Sequence, residues 1–144
     1  MLENNFHTTQ FRVRYKDTDR MGFVYYGNYL TYFEVARSDY MRSLGVPYAS
    51  LESQGYSLVV VEANAKYHGN VGYDSLISIR SRITELKRVR IRFDYEVFDE
   101  NDNLLVNGYT VHACLNSSKR PERIPDELQN AFMAMNSKTM PPPD

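Results

Sequence analysis

The stretch Tyr15-Lys16-Asp17-Thr18-Asp19-Arg20-Met21-Gly22-Phe23-Val24-Tyr25-Tyr26-Gly27-Asn28-Tyr29 lies where the periodicity of the chain changes. Before it, Thr9 to Lys16 alternates, with Phe11, Val13 and Tyr15 on one side and Arg12 and Arg14 on the other. A period of two predicts a strand. After it, Tyr29, Phe33, Ala36, Tyr40 and Leu44 recur at spacings of four, three, four and four, one stripe of an α-helix. Asn28 suits the N-cap, because its side chain can accept a bond from an orphan N–H. Gly45 and Pro47 are stop signals. At about 1.5 Å per residue this helix is roughly 25 Å long, the longest the pattern supports.

Downstream, Pro47 to Gln54 predicts a short helix or turn ended by Gly55, and four strand-like runs follow. Ser57 to Tyr67 is rich in Val and Ala. Leu76 to Leu86 puts Ile77, Ile79 and Ile83 on one face. Val89 to Phe98 sets Ile91, Phe93, Tyr95 and Val97 against Arg90, Arg92, Asp94 and Glu96. The turn signal Asp99-Glu100-Asn101-Asp102-Asn103 leads into Leu104 to Leu115, where Leu105, Tyr109, Val111, Ala113 and Leu115 are expected to share the apolar face. Short links imply antiparallel pairing. Asp126 to Met135 reads as a weakly packing helix. The order β, long α, then four β predicts an α+β domain over residues 1–138, one antiparallel sheet curled around the long helix. The proline run in 139–144 is expected to be disordered.

The 144 residues suffice for one domain with a real core. A net charge of -1 gives no global field for nucleic acid or anionic membrane. Cys114 is the single cysteine, so neither an internal disulfide nor a Cys-based zinc site can form. His7, His68 and His112 lack metal-ligand spacing, and no cofactor is implied. The beginning Met1-Leu2-Glu3-Asn4-Asn5 has no basic region followed by an apolar run, and no eighteen apolar residues run together. A soluble, cytoplasmic protein is expected. Aromatic residues, nearly all Tyr and Phe, reach 13%, which suits interfaces and wet pockets as well as a core.

Asp17 and Asp19 end the first strand in front of the helix entrance. An arbitrary Asp-Thr-Asp usually satisfies loop N–H groups. Here Gly22 and Gly27 allow close backbone approach, and the helix from Asn28 offers free N–H groups and a partial positive end. Such donors can stabilise an oxyanion, while a nearby carboxylate activates water or attacks directly. No His, Ser or Cys lies in this stretch, so an acid must act without a triad.

Residues 11–45 resemble the N-terminal signature of the hot-dog-fold acyl-CoA thioesterases, in particular the 4-hydroxybenzoyl-CoA thioesterase and YbgC-like group. The signature stands here as Tyr15, Asp17, Asp19, Gly22, Val24, Tyr25, Tyr26, Asn28 and Tyr29, continuing through Phe33 and Arg37. The resemblance implies a hot-dog fold over residues 9–116. It puts the catalytic carboxylate on Asp19 and leaves Asp17 to structure the loop. It makes the Tyr26 backbone N–H the group that polarises the thioester carbonyl. Gly22, Val24, Tyr25 and Asn28 then belong to the substrate site, with Tyr25 lining the acyl pocket. Many YbgC-like members carry His where this chain has Tyr26, a departure that touches a side-chain role and not the backbone one. The resemblance also implies an acyl-CoA substrate and a homo-oligomer, a dimer or a tetramer of dimers, with the active site at the dimer interface.

The basic run Lys87-Arg88-Val89-Arg90-Ile91-Arg92 reads, on its own, as a solvated strand face at a hairpin. By resemblance, Lys87, Arg88 and Arg90 bind the phosphates of CoA, a role guanidinium groups suit. An RNA-binding reading is poor, since the run is short and no aromatic platform alternates with it. Glu34 on the helix and Glu62 in the next strand are secondary candidates for the catalytic acid. Glu34 more simply pairs with Arg37 or Ser38 one turn on. The rival function is a non-catalytic acyl-CoA or acyl-carrier-protein binder using the same pocket. A hot-dog hydratase fits poorly, for want of a His-Asp pair.

Overall fold

A computed structural model describes residues 6–139. Five strands form one antiparallel sheet: β1 (His7–Arg12), β2 (Ser57–Tyr67), β3 (Leu76–Leu86), β4 (Arg90–Phe98) and β5 (Leu104–Leu115). Their spatial order is β1-β3-β4-β5-β2, so β1 and β2 are the two edges. The long helix α1 (Asn28–Ser43) lies on the concave face, α2 (Tyr48–Ser53) follows it, and α3 (Asp126–Thr139) closes the chain. This is the hot-dog α+β architecture. The expected tail 139–144 lies, apart from Thr139 at the end of α3, outside the described residues. No helix among the described residues is long and apolar enough to cross a membrane.

The helix stripe does what its spacing dictates. Tyr29, Phe33, Ala36 and Tyr40 are buried against Ile77, Ile79 and Ile83 of β3 and the apolar row of β4. Phe33 stacks flat on Tyr95, ring centres 4.3 Å apart. Gly45 takes φ +81° just past the helix, the left-handed stop that glycine adopts without strain. Its entrance differs from expectation. Gly27, not Asn28, is the N-cap, and no side chain caps the helix. Asn28 instead turns its amide back and donates Nδ2–H to the Asp17 carbonyl at 2.9 Å.

Two other expectations are corrected. The first strand stops at Arg12, and Tyr15–Asp17 form a 3₁₀ turn that leaves Tyr15 exposed against the Tyr73 ring. The turn exists because Asp17 N–H returns to the Arg14 carbonyl while the Asp17 carbonyl accepts Tyr25 N–H. In β5, Leu105 is buried as expected, but Tyr109, Val111, Ala113 and Leu115 point outward. The inner face carries Val106, Gly108, Thr110, His112 and Cys114. Register explains the inversion. Ile91, Phe93, Tyr95 and Val97 of β4 pair with His112, Thr110, Gly108 and Val106, and cross-strand partners share a face. Once β4 turns its apolar row inward, β5 must follow. Gly108 reinforces the choice, because a Cβ there would lie 2.0 Å from the Asn64 carbonyl oxygen of β2.

The inward polar groups of β5 are satisfied. Tyr95 Oη and Thr110 Oγ1 are 2.7 Å apart, His112 Nε2 lies 2.8 Å from the same hydroxyl, and Arg37 donates to Tyr95 Oη at 3.0 Å. Burial, aided by the Arg37 charge, lowers the His112 pKa from 6.5 to about 4. The last helix packs more firmly than its pattern suggests. Leu128 is fully buried, as is Ile124 just before it, and Ala131 and Phe132 rest on the core.

Candidate active site

The loop between β1 and α1 is a small hairpin pinned to the segment before β3. Thr18 bridges Val24, Phe23 bridges Gly72, and Val24 N–H donates to the Val71 carbonyl at 3.0 Å. Gly22 adopts φ +84°, and Gly72 packs so closely that a Cβ would sit 2.8 Å from the Gly22 carbonyl oxygen. Val24 stands behind the loop with its side chain buried in the core and its carbonyl held by Asn70 Nδ2. The Tyr29 hydroxyl donates to Asn70 Oδ1 at 2.6 Å, and burial raises its pKa to about 12.

The two acids occupy different worlds. Asp17 is only 6% exposed; its Oδ2 accepts the Tyr32 hydroxyl at 3.0 Å, and Lys16 Nζ lies 3.2 Å from Oδ1. Burial and this bond to Asp17 raise the Tyr32 pKa. Asp19 is exposed. Its Oδ1 accepts Met21 N–H at 2.9 Å and Phe23 N–H at 3.4 Å, while Oδ2 accepts no bond among the described residues. One oxygen thus fixes the carboxylate to its own turn and the other is presented outward.

In the same loop, neither the Tyr26 nor the Gly27 N–H donates to another group among the described residues. Both precede the first helical turn, where the α1 dipole is positive. Tyr25 and Tyr26 are exposed, with ring centres 4.8 Å apart, and the hydrogen bond that the Tyr25 hydroxyl makes to Tyr26 raises the Tyr25 pKa. Tyr67, at the end of β2, donates its hydroxyl to the Tyr26 carbonyl at 3.2 Å. Asp19, Gly22, Tyr25 and Tyr26 thus belong to the one pinned loop that runs into Asn28 at the start of α1. Tyr67 and Asn70 also build it, and the sequence pattern gave no signal for either.

Lys87, Arg88 and Arg90 are exposed and lie elsewhere. Lys87 and Arg90 border a depression of about 210 Å³ together with Glu62, Glu85 and Arg92. Arg88 lies outside it, its carbonyl accepting Ile124 N–H. The depression is at the far end of the sheet from the helix entrance. β3 begins beside the loop, where Val13 N–H meets the Ser75 carbonyl, and it ends at Leu86, next to Lys87. Its eleven residues span roughly 35 Å at about 3.3 Å each. Glu62 accepts the Tyr109 hydroxyl on the outer face, away from the entrance. Glu34 borders a small cavity with Arg37, Ser38, Met41, Tyr48, Leu58 and Val60. Among the described residues no cluster of three or more His, Cys, Asp or Glu is placed to hold a metal ion.

Sheet, central helix and glycine-bounded entrance loop define a hot-dog domain of the thioesterase type. The model of the thioesterase-like superfamily matches residues 13–132, and the chain belongs to that family. It is 33% identical to the acyl-CoA thioesterase YbgC of Haemophilus influenzae, over 92% of this chain and 97% of that one. Identity to the acyl-CoA thioester hydrolase YbgC of Escherichia coli is 25%, over 84% and 91%. The DHNA-CoA thioesterase structure from Staphylococcus aureus superposes with a TM-score of 0.87 at 32% identity, covering 94% of this chain and 95% of that chain.

Proposed function

We propose that this protein hydrolyses an acyl-CoA thioester to the free acid and CoA, with Asp19 as the reacting carboxylate. Its family and its YbgC relatives support the reaction class. The observation that carries the residue assignment is the half-anchored Asp19 carboxylate in the same loop as the unused Tyr26 and Gly27 N–H groups. The thioester carbonyl oxygen would accept those N–H groups, which face the charge that develops on it. Asp19 Oδ2 would then either attack the carbonyl carbon or take a proton from the water that attacks. In the first route the C–S bond breaks, CoA leaves as thiolate, and water cleaves the resulting anhydride. In the second, the tetrahedral intermediate collapses directly to acid and thiolate. A thiolate departs readily, so no acid partner is required. Asp17 keeps the loop in shape.

A second copy completes the site in this reading. β2 is an edge strand of eleven residues, with Val59, Val60 and Val61 43%, 48% and 47% exposed. A long apolar edge is a standing invitation to pair. Tyr67, at one end of β2, touches the helix entrance, while Ser57, at the other, pairs with Leu115 near the basic hairpin. Two β2 edges joined antiparallel about a two-fold axis would bring the partner's basic hairpin toward this chain's Asp19. Lys87 and Arg90 would then meet the phosphates of a CoA bound across the interface.

Thiol release across a panel of acyl-CoA esters, with Asp19→Asn alongside, tests the chemistry. The wild type should turn over at least one ester and the variant should be nearly silent. Full activity in the variant would overturn the assignment, and binding without turnover would favour a non-catalytic acyl-CoA binder. Lys87→Glu with Arg90→Glu should raise KM for CoA esters and spare N-acetylcysteamine thioesters.

A further inference from the structure

β1 and α1 bound a cleft of about 610 Å³ that shares only Asn28 with the residues assigned to the thioester site. Thr8, Thr9, Gln10, Phe11 and Arg12 all border it. Successive residues of a strand point to opposite faces, so an unbroken run can line a cleft only if the cleft follows the backbone edge. Among the described residues that edge is open, because β1 pairs there with β3 alone. The opposite wall is a single stripe of α1: Asn28, Thr31, Tyr32, Val35, Asp39 and Arg42. A groove between an open strand edge and a helix is the geometry in which extended peptides add as a further strand. Phe11, Tyr32 and the exposed Val35 supply apolar surface for alternate side chains of such a guest.

Charge selects among guests. Arg12, Arg14, Lys16 and Arg42 line the groove against two carboxylates, Asp17 and Asp39. Tyr32, Lys16 and Arg14 surround Asp17, and His7, Thr9 and Arg42 surround Asp39, so four cations against two acids leave the groove with an excess of two positive charges. We propose that this groove binds an acidic, extended segment of another protein, hydrogen-bonded to β1 as a sixth strand. The chain's own Pro141-Pro142-Pro143 run lacks the N–H groups a strand must donate. A second copy of β1, flanked by Arg12, Arg14 and Lys16, would bring cations to a groove already positive.

The test uses the full chain and three fluorescein-labelled peptides. One alternates Val and Glu, one alternates Val and Lys, and the third is the Glu peptide N-methylated at alternate residues. The Glu peptide should raise its anisotropy on titration and slow amide exchange across His7–Arg12. The N-methylated peptide should bind about tenfold more weakly or worse, since strand bonds are blocked. Arg14→Glu with Arg42→Glu should weaken the Glu peptide about tenfold. If that double variant does not fold, the N-methylated peptide on the wild type still decides. No binding of the Glu peptide would overturn the proposal, as would equal binding of the Lys or N-methylated peptide. So would protection of β1 that rises with protein concentration alone, the sign of self-pairing. The readout is binding, so it stands or falls independently of thioester turnover by Asp19.

Discussion

Asp17 and Asp19 carry the same side chain with one residue between them, and the fold gives them opposite surroundings. The first is walled in, accepts a tyrosine hydroxyl and anchors the loop through its carbonyl. The second stays in solvent with one oxygen tied to its own turn and the other uncommitted. Residue type therefore says little about the surroundings an acid ends up in. What separates them is the direction of the chain: the 3₁₀ turn at Tyr15–Asp17 buries one carboxylate, and the hairpin around Gly22 leaves the other exposed at its turn.

The sharpest way to break this division is to replace each acid in turn and see which quantity moves. Asp19→Asn should lower kcat by roughly 10²–10⁴-fold, the usual contribution of a positioned acid or base, with the melting temperature nearly unchanged. A next effect must be kept apart from it. Neutral His112 contributes stability that is whole above pH 6.5 and is lost as the pH falls toward about 4, since the unfolded ring takes a proton that the folded one refuses. The loss amounts to roughly 3 kcal/mol at most, and His112→Gln should flatten it in denaturant titrations run across that range. If acid inactivation of the wild type follows His112 and vanishes in the variant, it reports unfolding and not Asp19. Asp17→Ala should cost about 2 kcal/mol of stability by stranding the buried Tyr32 hydroxyl, while thioester turnover falls far less than in Asp19→Asn. Tyr32→Phe, which removes the other half of that bond, should cost about 1 kcal/mol by chemical denaturation. Destabilisation by Asp19→Asn as large as by Asp17→Ala would erase the contrast.

Much of the fold could be read from periodicity because burial enforces it. The α1 stripe and the apolar row of β4 are runs in which every inward position is apolar, and both are buried. β5 misled because its inner face is Gly108, Thr110, His112 and Cys114, residues whose burial is decided by pairing with β4 and by the close pass of β2 at Gly108. Those are long-range facts that a local pattern does not carry. Likewise Tyr15 continued the alternation of a strand, yet the backbone bonds of Asp17 had already turned the chain. The entrance loop was legible as a motif running through Asp19 and Tyr26, whose part in catalysis is what we propose. Tyr67 and Asn70 were not, since they arrive from strands and loops some forty positions away.

The separation between helix entrance and basic hairpin has a genetic consequence. With β2 edges paired as proposed, every site draws Asp19 from one chain and Lys87 and Arg90 from the other. An Asp19→Asn chain and a Lys87→Glu/Arg90→Glu chain would each be defective alone on CoA esters. Mixed, they form heterodimers in which one site collects both lesions and its twin collects neither. Two crippled alleles should therefore complement each other in the same tube, giving CoA-ester hydrolysis at low substrate above that of either preparation alone.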